Sequence, residues 1–141
     1  QTWRYTTSQP GKGWNEADFD DSSWQSGPGG FGTKETPGTV VRTEWSSPEI
    51  WIRRRVELAA GKLANPQLVI HHDEDADVYL NGVLAAKVAG YTTRYVGLPI
   101  RPEARKALRA GRNVIAVHCK QTGGGQYIDV GLADVIETVR E

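Results

Sequence analysis

The sequence lacks several features that define common classes of protein. Its 141 residues include no methionine and a single cysteine, Cys119, so no disulfide can form within the chain. The 17 basic and 17 acidic residues balance, and no long run of lysine and arginine occurs, which argues against a nucleic-acid partner. No apolar run approaches the roughly 20 residues that a membrane helix needs, so we expect no membrane partner.

The missing methionine also bears on the extent of the chain. Because the sequence opens on Gln1, we expect an excised module or a processed chain, with any signal peptide outside the sequence. The length suits one hydrophobic core, and we predict a single domain over residues 1–141.

What the chain does contain is frequent turn formers, with 16 Gly and 7 Pro, between short alternating segments. About eight short strands separated by turns are typical of an all-β sandwich. One short helix is predicted over 101–110, because Pro102 suits its first turn and Gly111 suits the position after its end. The predicted strands are 2–7, 50–58, 68–72, 76–80, 83–88, 113–120 and 127–132, with a strand or extended loop over 90–99 and a closing strand over 135–139.

The centre of the chain predicts a half-buried hairpin. Asn81-Gly82 is the strongest short-range hairpin signal, because a type I′ turn needs two residues at positive φ. On the strand predicted over 50–58, Arg54 shares a face with apolar residues. An unpaired buried charge is very costly, so we predict that Arg54 pairs with a carboxylate.

Four stretches occur in an order that resembles a known family. The stretches are FDDSSW (19–24) after Trp14, IWIRR (50–54), ADVYLNG (76–82) and LRAGRNVIAV (108–117). Taken together they are similar to the sugar-binding, jelly-roll domain of family-two glycoside hydrolases, the β-galactosidase and β-glucuronidase group, within the galactose-binding-like superfamily. The resemblance covers roughly residues 14 to 132, and residues 119–129 depart from the family-two pattern.

The resemblance implies a non-catalytic carbohydrate-binding module that tethers a larger secreted glycoside hydrolase or lyase to its polysaccharide. Its partners would then be a polysaccharide or oligosaccharide and a catalytic domain in the same parent chain. The location implied is secreted, periplasmic or cell-surface. One alternative is a structural accessory domain that packs on a catalytic domain without binding sugar, and another is a stand-alone glycosidase.

Sugar recognition needs an aromatic face for the C–H side of a pyranose ring. Trp45 is the leading candidate platform, because it lies among polar residues in a predicted loop, with core packing as the alternative. Trp51 is a weaker candidate on the polar side of its strand, with stacking under an arginine as the alternative. Trp14 and Trp24 are assigned to packing.

Two polar loops are candidates for gripping sugar hydroxyls, because loops at one end of a sandwich lie together. The alternative is that Asp73 and Asp75 form turns and that one acidic residue pairs with Arg53 or Arg54. The next loop could flank the same end. The predicted ligand-binding residues in these loops are His72, Asp73, Glu74 and Asp75, then Gln121, Gln126 and Tyr127, and finally Tyr91 and Arg94.

Metal and catalytic interpretations receive less support. A structural calcium could draw on the acidic residues at 73–77, or on Asp18, Asp20 and Asp21, but the sequence singles out no ligand set. Zinc is disfavoured because the neighbouring His71 and His72 point to opposite faces of a strand. A glycosidase needs two carboxylates across a cleft, and no pair is singled out, so no catalytic residue is predicted.

Overall fold

The protein, described here by a computed structural model for residues 1–34, 36, 38–59 and 65–134, folds as a β-sandwich. The elements are β1 (Thr2–Thr6), β2 (Gln25–Pro28), β3 (Phe31–Gly32), β4 (Thr43–Glu44), β5 (Glu49–Leu58), β6 (Pro66–Asp73), β7 (Asp75–Leu80), β8 (Val83–Val88), β9 (Val96–Pro99), α1 (Pro102–Ala107), β10 (Gly111–Lys120) and β11 (Tyr127–Asp134). The expected all-β sandwich with a short helix is confirmed. The closing strand predicted over 135–139 lies outside the described residues.

Two sheets face each other across one core. The six-stranded sheet has the order β2-β1-β5-β10-β7-β8, and the five-stranded sheet has the order β4-β3-β11-β6-β9. Neighbouring strands are antiparallel except β3 and β4, which are parallel. The long β5–β10 pair, in register from Leu58 opposite Gly111 to Glu49 opposite Lys120, forms the spine of the six-stranded sheet.

The core forms where alternating apolar side chains from both sheets point inward. Complete burial of a valine, leucine, isoleucine or phenylalanine side chain contributes about 1.5–3 kcal/mol to the hydrophobic driving force. The three largest apolar side chains in this cluster are Trp3, Trp45 and Phe31. Aliphatic residues from the two sheets interdigitate around them, among them Ile50, Ile52, Ile115, Val117, Leu68, Ile70, Ile128 and Val130.

The predicted hairpin and helix are both present. Asn81 and Gly82 have φ values of 49° and 86°, as the predicted turn requires. Helix α1 stops at Ala107, earlier than predicted, because Leu108 already has extended backbone. None of the described helical residues builds an apolar helix long enough to cross a membrane.

The paired arginine is Arg53 rather than its neighbour. Its side chain is 1% exposed, and its Nε donates to Asp21 Oδ2 at 2.9 Å. Its guanidinium also donates to the backbone carbonyls of Trp14 at 2.6 Å, Glu16 at 2.8 Å and Phe19 at 3.2 Å. Arg53 therefore fastens the irregular segment 14–21 across the outer face of the six-stranded sheet.

The prediction that Arg54 pairs with a carboxylate is wrong, since no carboxylate of the described residues bonds to it. Its guanidinium lies over the Trp3 ring, with Cζ 5.6 Å from the ring centroid, and donates to the Gln1 side-chain oxygen. The alternative that one acidic residue pairs with Arg53 or Arg54 is met by Asp21, which lies outside the acidic loop at 73–75. The cause is segment 14–21, which brings its own carboxylate to the opposite face of β5.

Candidate functional site

Three of the predicted loops meet at one end of the five-stranded sheet. Asp73, at the end of β6, lies opposite Tyr127 of β11 and forms a single bridge with Tyr91. The backbone of His72 bonds to Thr92 twice, donating to its hydroxyl at 3.1 Å and accepting from its N–H at 2.8 Å. The acidic loop, the glycine-rich loop and the loop after β8 therefore lie together, as loops at one end of a sandwich do.

Many of the predicted ligand-binding side chains in these loops are buried. His72, Asp73 and Gln126 are 4%, 8% and 4% exposed, and Tyr127 is fully buried. The Gln126 amide donates to the Ser47 carbonyl at 2.8 Å. The His72 ring is bonded to the carbonyl of the residue two positions later, at 2.8 Å. These side chains hold the loops in place and present little surface to a ligand.

Trp45 is a core residue, so the prediction that it offers an exposed platform is wrong. Its side chain is 2% exposed, within the main apolar cluster. The reason is the short parallel β3–β4 pair, which continues as Trp45 N–H donates to the Gly32 carbonyl at 2.9 Å. The polar neighbours in sequence gave no sign of this pairing.

Trp51 is also covered, being 5% exposed. Its ring stacks on His118 with centroids 4.6 Å apart and planes inclined by 7°. Trp51 is therefore covered by His118, which lies opposite it on β10, and not by the arginine that the sequence suggested.

The exposed aromatic surface is formed instead by residues 91–95. Tyr91 and Tyr95 are 65% and 47% exposed, and Arg94 between them is exposed too. We call Tyr91, Arg94 and Tyr95 the tyrosine shelf. Tyr91 bridges to Asp73, and the Tyr95 ring meets His71 edge-on at 5.3 Å.

Both tyrosines lie on the outer face of the five-stranded sheet. Residues two apart on a strand share a face, and directly opposed residues of an antiparallel pair also share one. His71 and Asp73 therefore place Tyr95 and Tyr91 on one side. Tyr91 was among the residues predicted to bind a ligand, and Tyr95 was not. The signal that could have found it is the four-residue tyrosine spacing within a segment predicted to be partly extended.

Buried polar groups underlie the shelf. His71 is 1% exposed and packs between Tyr95 and Tyr127, and burial lowers the pKa of its imidazole. Its Nε2 has no hydrogen-bond partner among the described residues. Burial, and next the hydrogen bond to the Asp129 carboxylate, raise the pKa of Tyr95, so the hydroxyl stays protonated and donates to that carboxylate.

The Asp73 carboxyl is the second buried polar group beneath the loops. Burial raises its pKa, and the neighbouring negative charge of Glu74 adds to the effect. Its Oδ1 has no hydrogen-bond partner among the described residues. Gly125 passes so close that a Cβ there would lie 2.5 Å from Oδ2, which explains a glycine at this position.

The remaining predicted polar residues mainly shape the loops. Asp75 accepts from the Gly90 N–H at 2.9 Å, and the Gln121 amide donates to the Gly124 carbonyl at 2.8 Å. Glu74 is partly exposed beside them. Asp75 begins β7 and its bond reaches Gly90, 15 residues away, so it ties the acidic loop to the end of β8 and does not form a local turn.

The described part of the chain contains no group of three histidine, cysteine, aspartate or glutamate side chains arranged to hold a metal ion. Asp21, from one of the two acidic groups considered for calcium, is engaged by Arg53. Cys119 is fully buried, and burial raises the pKa of its thiol, so it is a packing residue and a poor nucleophile.

Comparisons with known proteins locate this fold. No family model and no curated protein matches the chain. A β-glycosidase from Bacteroides vulgatus superposes with a TM-score of 0.60 at 18% identity, over 95% of this chain and 20% of that one. A β-glucuronidase from Bacteroides uniformis gives 0.60 at 22% identity, over 94% and 17%. A family 2 glycosyl hydrolase from Bacteroides cellulosilyticus gives 0.61 at 17%, over 95% and 20%.

The chain shares its fold with one segment of these glycosidases. It spans about a fifth of their length. The likeness to family-two enzymes that the four sequence stretches indicated is thus confirmed at the level of fold. At these identities the match concerns architecture, and the assignment of a sugar-contacting surface depends on the residues described above.

Proposed function

We propose that this chain is a non-catalytic carbohydrate-binding domain of a larger glycoside hydrolase, with the tyrosine shelf as its sugar-contacting surface. The observation that carries the proposal is the pair of exposed tyrosines on one sheet face, in a fold shared with a segment of glycosidases. Aromatic rings pack against the C–H faces of pyranoses, and tyrosine adds a polar edge for hydroxyls.

The polar groups around the shelf suit recognition better than hydrolysis. A glycosidase needs two carboxyl groups about 5–10 Å apart across the scissile bond. Beside the shelf, Asp73 is buried and the Asp129 carboxylate accepts the Tyr95 hydroxyl. Arg94 offers five N–H donors to sugar oxygens from an exposed position. The proposed role is therefore binding without bond cleavage.

A binding domain of this kind would act by proximity. Tethering a catalytic domain to its polysaccharide turns each later encounter into an intramolecular one and raises the effective substrate concentration. Such a role places the parent enzyme where polysaccharide is found, so we propose a secreted, periplasmic or cell-surface location.

The test is a binding titration with alanine variants at the shelf. We expect Tyr91→Ala to weaken binding of a recognised oligosaccharide about two- to tenfold, since stacking on an aromatic ring is worth about 0.5–1.5 kcal/mol. Calorimetry against a panel of oligosaccharides measures the affinity, and circular dichroism checks that the fold is intact. Tyr95→Phe should retain most of the affinity, because it keeps the ring.

Val40→Ala is the matched control for loss of an exposed apolar side chain, because Val40 is 61% exposed and has no ring. Its affinity should equal that of the unchanged chain. Equal affinity for Tyr91→Ala would remove the shelf as the binding surface, and the lack of any heat with every oligosaccharide would reject the carbohydrate-binding function.

The alternative, a structural accessory domain, has one observation in its favour. Val40, Tyr91 and Tyr95 are the most exposed large apolar side chains of the described residues, and all belong to the surroundings of the five-stranded sheet. A patch of this kind also suits packing on another domain. In that case Tyr91→Ala would lower the thermal stability of the full-length parent enzyme while no glycan binds the isolated domain.

A further inference from the structure

The outer face of the six-stranded sheet carries a second set of ordered polar and aromatic side chains. The register of four antiparallel strands places these outward-pointing residues directly opposite one another. The result is two parallel rows that cross the sheet. The first row is Trp51, His118, Asp77 and Lys87, and the second is Glu49, Lys120 and Asp75.

Segment 9–16 covers part of this face and leaves the rows beside an open groove. Arg53 fastens the segment through the carbonyls of Trp14 and Glu16. The Trp14 ring meets Tyr79 edge-on at 5.7 Å and His118 at 6.4 Å. Because the buried Arg53 holds the end of the segment at two backbone carbonyls, the segment forms one wall of the groove.

The groove has two parts that meet at His118 and Lys120. The larger, of about 820 Å³, lies between segment 9–16 and β5, with Trp51 and His118 among its lining residues. The smaller, of about 390 Å³, continues along residues 75–77 and 87–89. Since His118 and Lys120 line both parts, a linear molecule can cross from one into the other.

The charges in the groove alternate in sign. Lys87 pairs with Asp77 at 3.0 Å, and Glu49 meets His118 Nε2 at 2.8 Å. Lys120 lies in register between Glu49 and Asp75 on an exposed part of β10. A sugar hydroxyl both donates and accepts hydrogen bonds, so neighbouring carboxylate and ammonium groups match a pair of adjacent hydroxyls.

The same charges disfavour an acidic ligand. With His118 neutral, the four carboxylates lining the groove outnumber its three ammonium groups by one. Uronic acids, sulfated sugars and nucleic acids would all meet this excess of negative charge. The carboxylates are those of Glu16, Glu49, Asp75 and Asp77, and the ammonium groups are those of Lys12, Lys87 and Lys120.

We propose that this groove is a second glycan-binding site, selective for a neutral oligosaccharide long enough to pass over His118 and Lys120. The proposal rests on the proposed function for its class of ligand. It does not depend on the tyrosine shelf, which lies on the opposite sheet. With a glycan face on each side of the sandwich, the domain would hold two polysaccharide chains at once, or two stretches of one chain.

The test follows the two faces separately by two-dimensional ¹H–¹⁵N NMR. Neutral and uronic-acid oligosaccharides of matched length are added to the whole chain. We expect the neutral ligand to shift the indole N–H signals of Trp14 and Trp51 and the backbone signals of residues 118–120. Lys120→Ala should weaken binding at these signals about tenfold, as loss of a charge-assisted hydrogen bond does.

Lys106→Ala is the matched control, because Lys106 is an exposed lysine on α1 outside the groove, and its affinity should be unchanged. The double variant Tyr91→Ala/Tyr95→Ala separates the two proposals. Groove signals that still shift in this variant support the second site, even if the shelf signals are lost.

Five results would decide against one or both proposals. Loss of all shifts in the tyrosine variant rejects the groove and leaves the shelf standing. Shifts confined to the groove in the unchanged chain reject the shelf and leave the groove standing. Full affinity in Lys120→Ala, or stronger shifts with the uronic-acid ligand, rejects the groove as defined. No shift with any oligosaccharide rejects both.

Discussion

At the scale of single residues, the Arg53–Asp21 pair fixes the segment that walls the groove. Both side chains are buried, at 1% and 8% exposure, and the Arg53 guanidinium also donates to backbone carbonyls of segment 14–21. Removing one partner of a buried pair leaves an uncompensated charge. We therefore expect Asp21→Ala to lower the free energy of unfolding by about 3–5 kcal/mol, measured by urea denaturation.

Asp18→Ala is the control for this variant, because Asp18 is an exposed carboxylate in the same segment. Its unfolding free energy should stay close to that of the unchanged chain. An Asp21→Ala domain as stable as the Asp18→Ala domain would show that the carbonyls around Arg53 suffice to hold its charge.

The Asp73 carboxyl leads to a pH-dependent prediction. Its folded pKa is raised above 3.8, first by burial and then by the Glu74 charge, so folding favours its protonated form. Stability is therefore lost as the pH rises from about the unfolded pKa of 3.9 through the raised folded value, and the loss is complete above it. We expect Asp73→Asn to unfold at higher urea concentration than the unchanged chain at pH 7.

The difference between the two proteins should shrink as the pH falls below about 3.9, where the carboxyl is protonated in both states. Glu57→Gln, at an exposed position of β5, should show no comparable gain at pH 7. A gain for Asp73→Asn that stays constant with pH would mean that the effect is not ionisation of this carboxyl.

At the scale of elements, the central hairpin shows what sequence could and could not predict. Its turn follows from local chemistry, because Asn-Gly is preferred where a turn needs two positive φ values, and Asn81 and Gly82 adopt them here. The way the turn is attached to the rest of the fold does not follow from the local sequence. The Asn81 amide donates to the Ala107 carbonyl at 2.8 Å and to Asn113 Oδ1 at 2.9 Å, and its oxygen accepts from Val114 N–H at 2.8 Å.

The candidate site divides in the same way. Because loops at one end of a sandwich lie together, the sequence predicted that the acidic and glycine-rich loops would meet, and they do. Exposure was harder to predict, since it depends on contacts distant in sequence. Trp45 is buried by the pairing of β4 with β3, and Arg53 rather than Arg54 is buried because segment 14–21 crosses the outer face.

At the scale of the whole molecule, both candidate glycan faces belong to one sandwich with a common core. The core cluster contains Ile52 and Val117 from the six-stranded sheet and Ile70 and Val130 from the five-stranded sheet. A ligand bound to the folded state at either face stabilises it by about 2.7 kcal/mol at a hundred times its dissociation constant. If the core unfolds as one unit, a ligand bound at one face also stabilises the other face against unfolding.

We therefore predict that the chain unfolds in a single cooperative transition. Tryptophan fluorescence reports the buried rings of Trp3 and Trp45, and far-ultraviolet circular dichroism reports both sheets. The two urea transitions should have the same midpoint and slope, as expected for one domain of this size. A fluorescence transition that precedes the loss of strand signal would mean that the sheets separate before they unfold, and the two faces would then be stabilised independently.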